Sequence, residues 1–201
     1  MSASKIAVAL AAQKYWSSSL SSQASRAVAV LSQRLAKPIA EWAAQDGNHA
    51  NLLQQASYAL AKKEGVEARY GTVPTNAVLL TIPPIKAPKP TEAESIVIDV
   101  INAIAASECH NSRLLAETAQ RPDAQPIFQV LDLDTLAQTS ADREQSALEM
   151  IAMIKEERLF QSREPVKWRC LQCGARTHSK KAFESCACCK GGRAFATCTT
   201  I

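Results

Sequence analysis

The chain is 201 residues long, 47% apolar but only 5% aromatic, with a formal net charge of +4. That length suits one domain of ordinary size and a small second one, and it can bury a core without help from a metal. Few aromatic residues and many alanines favour helices over sheets, and no apolar run approaches the roughly 20 residues that span a bilayer.

Residues 5–35 carry Ile6, Leu10, Trp16, Leu20, Ala24, Val28 and Leu31 at helical spacing, with no Pro or Gly between them, which predicts one long helix. Pro38 suits the first turn of a second helix, where its missing N–H costs nothing. That helix presents Ile39, Trp42, Leu52, Leu53, Ala56 and Leu60. It stops at Lys62-Lys63-Glu64-Gly65, with cations in the last turn and Gly beyond. Prolines 74, 83, 84, 88 and 90 exclude a helix over 66–90, leave room for a strand only over 77–82, and predict a long crossover between opposite ends of a bundle. Thr91-Glu-Ala-Glu94 reads as a capping box opening a third helix, with Val97, Val100, Ile101, Ile104 and Leu114 on its apolar face and Arg121-Pro122 closing it. Thr135 is expected to cap a fourth, striped by Leu148, Ile151, Ile154 and Leu159. Two antiparallel pairs joined by one long crossover is the connectivity of ferritin-like bundles. The expected fold is therefore mainly α: a ferritin-like four-helix bundle over 1–162, followed by a small second region over 163–201.

That second region holds the sharpest chemical signal. Cys170-Leu-Gln-Cys173 and Cys186-Ala-Cys188-Cys189 form two C-x-x-C pairs separated by twelve residues. Each tight turn sets two sulfurs on one side of the backbone, so four thiolates can converge on one tetrahedral ion. The candidate ligands are Cys170, Cys173, Cys186 and Cys189. Cys188 is a further thiol that could substitute within the second knuckle, but Cys186 and Cys189 fit the spacing better. A disulfide framework would need an oxidising compartment, which nothing in the sequence implies. Four thiolates suit one iron or one zinc ion, and spacing does not separate them.

The stretch from Ile154-Lys-Glu-Glu-Arg-Leu-Phe160 through Lys167-Trp168-Arg169-Cys170 into the knuckles resembles rubrerythrin, a di-iron helical bundle followed by a rubredoxin-like iron module. The resemblance is close from about Met150 to Phe195 and extends in helix order over 5–150. It implies a homodimer, and a bundle in which two helices each supply a Glu and the others Glu-x-x-His. This chain departs from that set. Gln13 stands at the first-helix position, Asp46-Gly-Asn-His49 at the second, Asn102 and Ala105 at the third, and Ser140 and Arg143 at the fourth. Only Asp46 and His49 fit as ligands, which cannot hold two irons. Other registers offer Glu108 with His110, or Glu144 and Glu149, without completing a set. His49 is read as a hydrogen-bonded core histidine, and Cys109-His110 lacks the third group that orients a catalytic pair. The module departs too, with Ala175 where the family places an aromatic residue and Lys190 where Gly is common. Trp168 and Phe195 are expected to pack around the metal.

Three functions follow: a one-metal electron carrier, a zinc ribbon acting as a structural or interaction component, and an NAD(P)H-linked peroxide reductase, which the missing carboxylates argue against. Eight Lys/Arg against two acids make residues 163–201 net +6 and leave −2 for 1–162. A basic module attracts an acidic redox or assembly partner. Three aromatic residues (Trp168, Phe183, Phe195) are few for base stacking, which disfavours nucleic acid. Five Lys/Arg, nine Ser and no acid precede Glu41, a composition shared by mitochondrial transit peptides and by core helices that lack acids, so cytoplasm and organelle matrix both stay open.

Overall fold

The computed structural model describes residues 2–65 and 93–198. Among them, four long helices precede a small sheet: α1 (Ala3–Ala29), α2 (Gln33–Lys63), α3 (Ala93–Ala119) and α4 (Leu133–Lys155). A 3-10 turn (Pro122–Ala124) and a one-turn helix (Gln125–Phe128) link α3 to α4. The expected crossover 66–90, the strand 77–82 and the first two residues of the capping box lie outside the described residues.

The helix boundaries differ from expectation where a cap overrules periodicity. The first helix ends at Ala29 rather than running to 35, and α2 begins at Gln33. Ser32 is extended and its side chain accepts a hydrogen bond from Leu35 N, satisfying one of the donors that open a helix. Pro38 therefore sits inside α2, one turn further in than expected. Likewise Asp132, not Thr135, caps α4, its carboxylate accepting from the backbone N–H of Asp134 and Thr135. Leu52 and Leu148, expected on apolar faces, are exposed, and Leu159 is buried in a 3-10 turn (Arg158–Phe160) beyond α4.

α1 packs along α2, α3 along α4, and α1 also meets α3. At the far end from the sheet, Ser4 Oγ donates to Glu64 Oε2 at 2.5 Å, tying the start of α1 to the end of α2. Two apolar clusters fill the interior. One takes Ile6 and Leu10 of α1, Leu53 and Leu60 of α2, Leu115 of α3 and Leu133 of α4. The other takes Leu20 and Val28, Leu35 and Ile39, Val97 and Ile101, and Ile151 and Ile154. Along every helix a short polar stretch separates the two: 13–17, 45–49, 107–111 and 140–143. The interior is thus apolar, polar, apolar. Both α2 and α3 run from the second cluster to the first, so Gly65 and Ala93 lie at opposite ends of the helical layer.

β1 (Gln161–Cys170), β2 (Arg176–Lys181) and β3 (Phe195–Thr197) form an antiparallel sheet in the order β2-β1-β3. Trp168, Cys170, Cys186 and Phe195 are buried in the same cluster as Val28, Ile39 and Ile154, so the cysteine module continues the helical core. Trp168 donates through Nε1 to Ser179 O at 2.9 Å, which satisfies the polar end of a nearly inaccessible side chain. Glu157 fastens the junction, pairing with Lys181 and Arg193, while Arg193 stacks over Phe160 at 5.2 Å.

Candidate metal centre

The four expected ligands come together. The sulfurs of Cys170, Cys173, Cys186 and Cys189 all lie within 4.8 Å of one another. Cys170 and Cys189 are separated by 3.9 Å and Cys173 and Cys186 by 3.6 Å. A tetrahedral ion with metal–sulfur bonds of about 2.3 Å requires sulfurs about 3.8 Å apart. A disulfide requires about 2.05 Å, and all seven cysteines are free. The donor set is all thiol and fits one tetrahedral ion. Among the described residues it is the one cluster of His, Cys, Asp and Glu close enough to hold a metal.

The backbone builds the two knuckles alike. Gly174 N donates to Cys170 O at 2.9 Å, and sixteen residues later Lys190 N donates to Cys186 O at 2.8 Å. Cys170 N reaches Ala175 O at 2.8 Å, and Cys186 N reaches Gly191 O at 2.9 Å. The residue after each second cysteine adopts the left-handed conformation, Gly174 at φ 76° and Lys190 at φ 58°. Glycine does so freely, whereas lysine holds it at a cost of about 1 kcal/mol. The first cysteine of each knuckle is buried and the second exposed, so the centre has a protein side and a solvent side. Gln172 crosses from the first knuckle, its Oε1 3.6 Å from Cys189 Sγ.

Electrostatics favour a first ionisation at Cys186. Backbone N–H groups of Cys189 and Cys188 face its sulfur and pull the thiol down to about 6. Cys189 moves the other way. The Gly191 N–H favours its thiolate, but desolvation and the sulfurs of Cys173, Cys186 and Cys170 push it up to about 12. The two shifts describe one coupled group: a single thiolate forms readily and suppresses the next until a cation arrives. Cys188 is exposed and stands outside the converging set, as do Cys109 and Cys198.

The polar layer between the apolar clusters is organised around charge pairs. Asp46 Oδ1 accepts from Lys14 Nζ at 3.0 Å and from Arg143 Nη1 at 2.9 Å. The same guanidinium lies 3.5 Å from Glu108 Oε1 and donates to Gln45 Oε1 at 2.6 Å. Each long helix thus contributes one buried charge. Beside them Gln13 donates to Asn111, which donates to Ser17. Burial and the charge of Asp46 hold Glu108 above the usual carboxylate range, against Arg143 and Lys14.

These contacts correct several assignments. Asp46 and His49 do not converge as ligands, because Asp46 is committed to Lys14 and Arg143. His49 is half-buried and its Nδ1 has no hydrogen-bond partner among the described residues, in contrast to the hydrogen-bonded core histidine expected. Burial and then the Lys14 charge push its imidazole down. On α3 Ala105, Ser107, Glu108 and Asn111 are buried, whereas Asn102 and His110 are exposed. Ser140 and Arg143 are both buried, as the register from Cys170 implies, whereas Glu149 is exposed. Sequence reasoning missed Lys14. The signal was its place in the stripe Leu10, Lys14, Ser17, Ser21, all buried at spacings of three and four. Two carboxylates already neutralised by two cations do not fit a two-metal centre. No protein-family model and no curated protein matches the chain.

Proposed function

We propose that this is a rubrerythrin-like metalloprotein in which a helical scaffold (1–162) carries a one-ion module (163–201), with iron at Cys170, Cys173, Cys186 and Cys189 serving one-electron transfer. The observation that carries the reading is the convergence of four sulfurs within 4.8 Å, at edges suited to a tetrahedral ion. Bound iron would supply a one-electron couple whose potential depends on the N–H groups facing sulfur. The chain's own contribution is to gather the thiolates, offset their charge with backbone dipoles and bury Cys170 and Cys186 behind Trp168 and Phe195. Cys173 and Cys189 remain at the surface, where an electron can leave.

In this reading the helical interior is a scaffold without a di-iron centre. Lys14 and Arg143 neutralise the two buried carboxylates that a metal pair would need, so peroxide reduction is not proposed. The same observation favours a second reading, in which the module holds zinc and acts as an interaction component, since no second metal-ligand cluster is present among the described residues to receive its electrons. Purified protein grown with both metals available separates them. Iron gives visible thiolate-to-iron bands that dithionite bleaches and air restores. A colourless protein with one zinc per chain would replace the electron carrier with the interaction component, because zinc has one accessible oxidation state.

A further inference from the structure

The outer face of the sheet is a cationic surface built at a cost. Lys167 and Arg169 alternate with buried Trp168 and Cys170 along β1, which puts both cations on the side away from the core. The register sets Lys167 opposite His178 and Arg169 opposite Arg176, and Lys180 continues the row on β2. All five side chains are exposed, and no carboxylate occupies any paired position of the two strands. Directly opposed residues have Cβ atoms only about 5 Å apart, where like charges destabilise a sheet. Of the nearby acids, Glu184 pairs with Arg193 and Glu157 takes Arg193 and Lys181, while Glu164 lies in the irregular stretch of β1 between the paired positions Gln161 and Val166. Among the described residues none of the four cations on the face has an ion-pair partner.

Around the start of the edge strand β2, toward the side of the sheet that carries Trp168 and Cys170, opens a slot of about 220 Å³. Phe183, Phe195 and Ala187 line it, Cys186 and Cys188 form part of its wall, and Arg176 belongs both to the slot and to the cationic row. Phe183 is 51% exposed, the most exposed large apolar side chain among the described residues. A concave apolar recess bordered by charge has the anatomy of a protein interface, an anchor pocket within a polar rim.

We propose that this surface docks an acidic protein, which lays carboxylates on the cationic face and, reaching past Arg176 round the β2 edge, inserts one apolar side chain into the slot beside Cys186. The proposal rests on the four-cysteine reading only for its purpose, which is to bring a redox partner against the metal centre. Charge chooses the sign of the partner and the slot chooses its class. A lipid surface accepts an apolar projection but does not fill a recess. Single-stranded nucleic acid adds stacking on several aromatic rings to its charge contacts, and the strand face offers only the His178 ring. The four cations would set encounter rate and orientation, and the anchor would set residence time.

The test uses the metal-loaded full chain and a fluorescein-labelled peptide of alternating Glu and Ser with one central Leu, followed by anisotropy. Saturable binding is expected. It should weaken tenfold or more in Arg169→Glu/Arg176→Glu and several-fold in Phe183→Ser or when the peptide's Leu becomes Ser. Raising ionic strength to about 0.3 M, where screening acts over a few ångströms, should weaken it further. Metal content of each variant, measured separately, distinguishes loss of the surface from loss of the centre. If Arg169→Glu/Arg176→Glu fails to load, Lys167→Gln/Lys180→Gln on the same face gives a milder version of the same loss. Binding that ignores both sets of variants overturns the proposal. So does tighter binding of a single-stranded oligonucleotide or a phosphatidylserine vesicle than of the peptide. Salt-sensitive self-association that Arg169→Glu/Arg176→Glu abolishes would overturn it too, by placing a second copy of the chain on the face.

Discussion

Replacing Asp46 with Asn should be the most damaging single change in the helical interior. Asp46 is fully buried and accepts from Lys14 at 3.0 Å and Arg143 at 2.9 Å, with both cations at most 4% exposed. Asn keeps the shape but not the charge, so two buried cations are left facing Glu108, which lies 3.5 Å from Arg143. Removing one member of a buried ion pair costs about 3–5 kcal/mol, because the remaining charge is desolvated and uncompensated. With a urea slope of about 2 kcal/mol per molar, the midpoint should fall by roughly 2 M. Lys14→Met/Asp46→Asn restores a neutral interior around the Arg143–Glu108 pair. The double variant should therefore be about 1–3 kcal/mol more stable than the sum of the single losses predicts. Urea titrations of the wild type, both single variants and the double variant supply the cycle, provided the slopes agree. Additivity within about 0.5 kcal/mol, the ordinary behaviour of independent sites, would refute the reasoning and show that Lys14 and Asp46 are not a coupled buried pair.

Glu108 has its carboxyl raised by burial above the ordinary 4.5. Such a group binds its proton more tightly when folded, so its contribution is present below pH 4.5 and lost as pH rises through the folded-state value. Glu108→Gln should flatten the decline of the urea midpoint with pH above 4.5. Lys190→Gly should raise the thermal midpoint of the metal-loaded protein by relieving about 1 kcal/mol of left-handed strain at φ 58°, less the entropy that glycine gains on unfolding. Gly174→Ala should lower it. As pH falls through about 6 the Cys186 thiolate takes up a proton that an incoming ion must displace. A plot of log zinc affinity against pH, from competition with a chromophoric chelator, should therefore steepen by about one unit there.

The cysteine site was legible because its information is local. Three-residue spacing and a left-handed turn after each pair determine where the sulfurs go, and both knuckles follow that rule, even where Lys190 must bear it. The helices were legible as apolar stripes but not in their limits. A Ser32 side chain reaching Leu35 N starts α2, although periodicity continues unbroken through Leu31 and Leu35. The polar layer was the least legible. A lysine within a helix reads as surface because burying its charge is unfavourable without a partner. The partner of Lys14 is Asp46, 32 residues away on another helix, and that of Arg143 is the same carboxylate 97 residues away. Register by resemblance could place Ser140 and Arg143 because α4 runs directly into the knuckles. It misplaced α3, whose connection to α2 is long, and so pointed to Asn102 rather than Glu108. The cationic face needed strand register as well as composition, since only the pairing of Arg169 with Arg176 turns a net charge into a surface.

Metal stoichiometry of the purified protein and its cysteine variants tests the central claim most directly. The wild type should hold one iron or zinc ion per chain. Ser at position 170, 173, 186 or 189 should each remove most of it, and Ser at 109, 188 or 198 should leave it in place. Full retention in Cys173→Ser, loss in Cys188→Ser, or two further tightly bound irons per chain would contradict the account.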